Sequence, residues 1–213
     1  MAHLIDPKNV ISLTLSDEQR TFGQIRLFLR YFLIDQFSQL RSLTLIYIRE
    51  EDLNEFQKYI MKCSLTTVSI SFSDSNSKNM KQLLTSILSR KSLRKLKLGD
   101  GDDIITDMRW PIRCKLENMT ISGKCNWDII YFIISHSPHL RKLVLERFSL
   151  DENITIESDM KQCDHLTSLS LYISYEITMN DLELFLIFLR KLTYLQLFGP
   201  GYRADPSLFD GCR

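Results

Sequence analysis

The chain has 213 residues, 27 basic and 26 acidic side chains, a formal net charge of +1 and a hydrophobic fraction of 44%. That length buries a large core without disulfides or metal, and the balanced charge lacks the basic excess of a dedicated nucleic-acid binder. With 25% charged residues, 7 Gly and 5 Pro it is neither disordered nor of low complexity, and its 33 Leu against 2 Ala point to leucine-rich repetition rather than a helical bundle.

The first residues, Met1-Ala2-His3-Leu4-Ile5-Asp6-Pro7, carry no basic region followed by a long apolar stretch, so no signal peptide is expected. The longest apolar candidate, Ile25 to Ile34, is interrupted by Arg26 and Arg30, and Leu184 to Leu189 is shorter still. Neither approaches the roughly 18 residues of a membrane span. The cysteines Cys63, Cys114, Cys125, Cys163 and Cys212 are widely spaced without a CxxC, which reads as reduced thiols in the cytosol, with the nucleus as the alternative. In that compartment the sequons at Asn118 and Asn153 stay unmodified.

A pattern apolar-x-x-apolar-x-apolar runs through the chain. It appears as Val10/Leu13/Leu15, Leu40/Leu43/Leu45, Leu65/Val68/Ile70 and Leu93/Leu96/Leu98, then as Leu116/Met119/Ile121, Leu140/Leu143/Leu145, Leu166/Leu169/Leu171 and Leu192/Leu195/Leu197. The copies begin at 10, 40, 65, 93, 116, 140, 166 and 192, a mean interval of 26 residues. The last two apolar positions of each copy are two apart, the period of a strand with one buried face. Strands are therefore predicted at 11–16, 41–46, 66–71, 94–99, 117–122, 141–146, 167–172 and 193–198.

Helical spacing fills the intervals. Ile25, Phe28, Leu29 and Phe32 share a helix face, as do Met80, Leu83, Leu84 and Ile87, and Leu182, Phe185, Leu186 and Leu189. The apolar stretch from Phe22 to Leu40 reads as the helix of the first repeat. Asp52 and Asn180 stand where N-caps belong. Residues 103–114, with Pro111 and no helical face, predict an irregular or extended return, and residues 149–163 are similar. A unit of about 26 residues cannot bury its own apolar face, so its neighbours must stack. The expected fold is α/β: a single solenoid domain over 1–213, with a parallel sheet on its concave face, helices outside and a tail at 199–213.

Segments such as Ser137-Pro138-His139-Leu140-Arg141-Lys142-Leu143-Val144-Leu145 resemble the strand motif of leucine-rich-repeat proteins. The usual Asn or Cys three residues after the last Leu is replaced by Glu18, Ile48, Ser73, Gly101, Lys124, Phe148, Ser174 and Pro200. That departure suits the degenerate repeats of F-box proteins better than extracellular ladder-type repeats. Leu4-Ile5-Asp6-Pro7, Arg41-Ser42-Leu43-Thr44-Leu45 and Lys62-Cys63-Ser64-Leu65-Thr66 resemble an expanded invertebrate family of F-box/leucine-rich-repeat proteins, over essentially the full chain. The resemblance implies substrate recognition in a cullin-type ubiquitin ligase. The F-box itself should precede the repeats, and nothing before Val10 supplies it, so binding of the F-box adaptor is not expected from this chain alone. The alternative is a free-standing leucine-rich-repeat adaptor or inhibitor.

In such a horseshoe, the residues between the apolar positions face the concave side. They are Ser12/Thr14/Ser16, Ser42/Thr44/Ile46, Thr67/Ser69/Ser71, Lys95/Lys97, Asn118/Thr120/Ser122, Lys142/Val144/Glu146, Ser168/Ser170/Tyr172 and Tyr194/Gln196/Phe198. Large aromatics anchor interfaces, so Tyr172, Tyr194 and Phe198 are the candidate contacts for a protein partner, with Lys95, Lys97 and Lys142 adding charge. The competing reading is that the rings only pack laterally at the terminal edge.

Other motifs read as scaffold. The run Arg90-Lys91-Ser92-Leu93-Arg94-Lys95-Leu96-Lys97 has the composition of a nuclear-import or nucleic-acid patch, but the favoured reading is a helix end followed by a solvated strand, neutralised by Asp100, Asp102 and Asp103. Gly99-Asp100-Gly101-Asp102-Asp103 fails the spacing of a calcium loop at Ile104. Cys163-Asp164-His165 is no nucleophile–base pair, because adjacent residues at a strand entry point in different directions, and Cys63, Cys114 and Cys163 recur two or three residues before a strand's first Leu, where buried small residues belong. His139 and His165 likewise read as repeat scaffold. No phosphate loop, metal cluster or carboxylate pair emerges. The expectation is a non-enzymatic interaction module with no cofactor or metal, no nucleic-acid partner and no membrane.

Overall fold

A computed structural model describes residues 6–33, 36–72, 78–99, 102–112, 114–149, 163–173 and 179–199. All eight expected strands form: β1 (Ser12–Ser16), β2 (Ser42–Ile48), β3 (Thr67–Phe72), β4 (Lys95–Leu98), β5 (Asn118–Cys125), β6 (Lys142–Phe148), β7 (Ser168–Ile173) and β8 (Tyr194–Phe198). They build one parallel sheet in which spatial order equals chain order. Helices α1 (Gln24–Tyr31), α2 (Glu50–Lys62), α3 (Lys78–Leu88), α4 (Asp102–Asp107), α5 (Trp127–His136) and α6 (Met179–Ile187) lie in the intervals. None of the described helices is long and apolar enough to cross a membrane.

The sequence repeat becomes a repeated hydrogen-bond geometry. At each strand entry one carbonyl accepts two successive amides of the next strand. Ile11 O accepts from Arg41 and Ser42, Arg41 O from Thr66 and Thr67, and Thr66 O from Arg94 and Lys95. The same step recurs at Arg94, Glu117, Arg141 and Thr167. Three threonines reinforce it, with the hydroxyls of Thr66, Thr167 and Thr193 donating to the carbonyls of Arg41, Arg141 and Thr167. Seven identical steps put the leucines of every copy in register, Leu13 beside Leu43 beside Val68 and on to Leu195.

As far as β7 these rows and the apolar helix faces form one continuous core, while Leu195 and Leu197 of β8, the last strand of the sheet, stay exposed. Ile25, Phe28 and Leu29 are buried on α1, and Met80, Leu83, Leu84, Ile87 and Leu88 on α3. Burying side chains of this size stabilises by roughly 1.5–3 kcal/mol each. Cys63, Cys114, Cys125 and Cys163 are buried thiols, as small core residues. Trp127 packs edge-on against Phe185 at 4.9 Å, joining α5 to α6.

Several local expectations need correction. The helix expected over Phe22 to Leu40 is confined to α1, and Phe32 is its exposed C-cap. Asp52 is not an N-cap: α2 starts at Glu50 after Arg49, and Asp52 is buried in the first turn beside Arg26. Asn180 lies inside the first turn of α6 rather than before it. Within the stretch expected to be irregular, α4 forms and buries Ile104 and Ile105; only the part around Pro111 is non-helical. Residues 150–162, 174–178 and 200–213 lie outside the described residues, as do Asp100 and Gly101 of the acidic run.

Helix starts are capped from within their own unit and helix ends by the next one. Gly23, at φ 78°, is the N-cap of α1 and offers no side-chain acceptor, so the buried carboxylate of Asp17 accepts from the Ile25 amide at 3.0 Å instead. The Tyr59 hydroxyl of α2 donates to Phe32 O at 2.8 Å, and the Arg90 guanidinium to Cys63 O, the C-cap of α2, at 2.7 Å. Asn126 caps α5 directly, accepting from Ile129 at 3.1 Å.

Candidate functional site

The face of the sheet away from the leucines carries the residues expected from the alternation. Register aligns them into rows across the strands. One row runs Ser12, Ser42, Thr67, Lys95, Asn118, Lys142, Ser168 and Tyr194, and the next Thr14, Thr44, Ser69, Lys97, Thr120, Val144, Ser170 and Gln196. Lys95, Lys97 and Lys142 are exposed, whereas Ser170 is buried.

A groove of about 630 Å³ opens on this face, between the hydroxyl-rich strands β2–β3 and the aromatic end at β7. Lys97 and Tyr172 line it, together with Ser69, Ser71, Glu146 and Arg147. Across it Lys97 Nζ meets Glu146 Oε1 at 3.1 Å, a contact that steps over β5. Lys95, Lys142, Tyr194 and Phe198 lie on the same face but do not line the groove.

The aromatic end is partly self-satisfied. Tyr172 and Phe198 are register partners and stack at 4.1 Å with 15° between their planes, while the Tyr194 hydroxyl donates to Gln196 at 3.2 Å. The lateral packing weighed against the anchor role is thus present. Tyr172 and Tyr194 nevertheless remain 41% and 52% exposed, enough to meet a partner.

Two lining features escape a period-2 count. The pairing slips between Leu45/Ile48, Ile121/Lys124 and Leu145/Phe148. The slips return Ile48 and Phe148 to the core and turn Tyr47 outward, at φ 56°. In β6 the same slip brings Arg147 to the groove, where strict alternation puts it inside. Gly99 also lines the groove: a Cβ there would fall 2.8 Å from Ser71 Cβ and 2.9 Å from its Cα. It is there for close approach, a role that nothing in its neighbouring sequence reveals.

A second hollow of about 710 Å³ lies at the β1–β2 end, lined by Asp17, Glu18, Phe22, Tyr47 and Arg49 among others. Arg49 covers the Phe22 ring at 3.8 Å and reaches Asp17 at 3.7 Å, so its charge is already committed. Nearby, burial pushes the Asp52 carboxyl above its ordinary value, against the pull of Arg26.

Cys163 and His165 do not diverge as their spacing implied. The thiol lies 3.8 Å from His165 Nε2 because residues 163–166 form a bend rather than a strand. The thiol is only 4% exposed. Burial holds His165 below its usual range despite backbone hydrogen bonds at Ile134 and Ser137, and likewise raises the Cys114 thiol. A neutral imidazole beside an enclosed thiol is packing geometry. Among the described residues, no three His, Cys, Asp or Glu are grouped to hold a metal ion.

No protein-family model, curated protein or solved structure matches the chain.

Proposed function

We propose that the chain is a leucine-rich-repeat solenoid that binds a protein partner on its open sheet face and performs no catalysis of its own. The observation that carries this reading is the register. Eight strands in chain order present continuous rows of outward side chains beside a groove, a long surface suited to an extended partner. The further step, that this surface recognises substrates for an F-box-type ubiquitin ligase, rests on the sequence resemblance alone. In that setting a reducing, cytosolic compartment and no requirement for a cofactor or metal follow.

The test is site-specific photo-cross-linking in cells. A cross-linker at Thr120 on the open face should give protein adducts, and one at Lys58 on α2 should not. With a partner so identified, Tyr172→Ala with Tyr194→Ala should weaken binding by about 2 kcal/mol, some thirtyfold. Ala at Thr14, Thr44 and Ser69 should change little. Adducts from the helix layer only, or loss of binding in the threonine and serine variants alone, would reverse the assignment.

A further inference from the structure

Charge on this nearly neutral chain is unevenly placed. In the helix layer and at the strand entries several acids are held by bases: Glu51 and Asp52 by Arg26, Asp17 by Arg49, Asp107 by Lys81, and Glu117 by Arg94. The middle of the open face differs. Lys95, Lys97 and Lys142 project from β4 and β6, with Arg147 lining the groove and Glu146 as the carboxylate among them. Lys95 and Lys142 have no ion-pair partner among the described residues.

We propose that the partner's contacting segment is an acidic, extended polypeptide laid across β4, β5 and β6, its carboxylates meeting Lys95, Lys97 and Lys142. This deepens, and depends on, the interaction-face reading above. The Lys97–Glu146 pair is an internal precedent, because a carboxylate already satisfies a β4 lysine by reaching over β5. Spacing fixes the direction. Lys95, Asn118 and Lys142 are register neighbours, so the two lysines stand two strand steps, about 9.6 Å, apart. Acidic residues three apart in a polyproline-II segment lie on one side at about 9.3 Å, a match that needs no regular hydrogen bonding from the peptide. The hydroxyls of Thr67, Thr120 and Ser122 flank the lysines and suit its free backbone groups. A nucleic acid fits less well, because Tyr172 and Phe198 already spend a ring face on each other rather than offering a base-stacking platform.

Fluorescence anisotropy with a labelled peptide of five Glu-Ser-Ser triplets tests this on the full chain. Binding at low salt should weaken as salt rises, and Lys95→Glu with Lys142→Glu should reduce affinity about tenfold or more. Lys58→Glu with Lys78→Glu, on helices α2 and α3, should leave it within about twofold, the margin of screened long-range charge. Glu146→Gln should tighten binding by releasing Lys97. Circular dichroism checks that each variant is folded. Failure of the unmodified chain to bind, equal loss in the helix variants, or tighter binding of a single-stranded oligonucleotide of the same charge would each overturn the proposal. The two readings fail separately. A Thr120 adduct formed with a non-acidic segment defeats this inference and leaves the interaction face standing, while no protein adduct on the open face defeats both.

Discussion

Gly99→Ala isolates the close approach that shapes the groove. The added methyl would meet Ser71 Cβ and Oγ at 2.8 Å and its Cα at 2.9 Å, so β3 and β4 must part at their ends. Overpacking of this kind costs about 1–3 kcal/mol, and the loss of glycine's unfolded-state freedom returns about 0.4–1 kcal/mol. With backbone as well as side chain in the way the upper half of that range applies, so the net expectation is a destabilisation of about 1–2.5 kcal/mol, or roughly 2–10 °C in Tm for a chain of this size. Ser71→Gly should rescue part of it in the double variant, because it removes Cβ and Oγ from the clash but leaves the Cα. Urea unfolding followed by circular dichroism, with thermal melts alongside, measures all four members of the cycle. A Gly99→Ala chain as stable as the parent would refute the reasoning. So would additivity of the two changes, since contacting residues must couple.

Two further predictions concern buried polar groups. Asp17→Ala should cost about 1–2 kcal/mol in urea unfolding by uncapping α1, and Asp17→Asn, which keeps an acceptor for Ile25, should lose less; equal losses would shift the role to the ion pair with Arg49. His165 is held below its usual range by burial, so the folded state takes up its proton only at lower pH than the unfolded chain. Its contribution is full above the unfolded value near 6.5 and is lost as pH falls toward the folded one. Between about pH 7.5 and 5 the parent's Tm should therefore drop more than that of His165→Gln, and parallel curves would exclude the histidine.

Local sequence determined the strands, because each needs only a two-residue alternation, and the recurrence of that alternation every 26 residues or so fixed how many there are and in what order they stack. It also placed Lys95, Lys97, Lys142, Tyr172, Tyr194 and Phe198 on one face, since alternation alone separates them from the leucines. Helix starts were less legible. Asp52 looked like a cap, but α2 begins earlier, where its acidic first turn meets Arg26 and Arg49. α4 was missed because its six residues are too few to show a helical face. What tertiary structure alone decided depends on neighbours distant in sequence. The pairing slips send Phe148 inward and Arg147 to the groove, Arg90 caps α2 from 27 residues away, and Tyr172 closes on Phe198 across a strand boundary. Alternation is a property of one strand, but a bulge, a borrowed cap or a close approach is set by the strand beside it, and that partner is defined only once the sheet has formed.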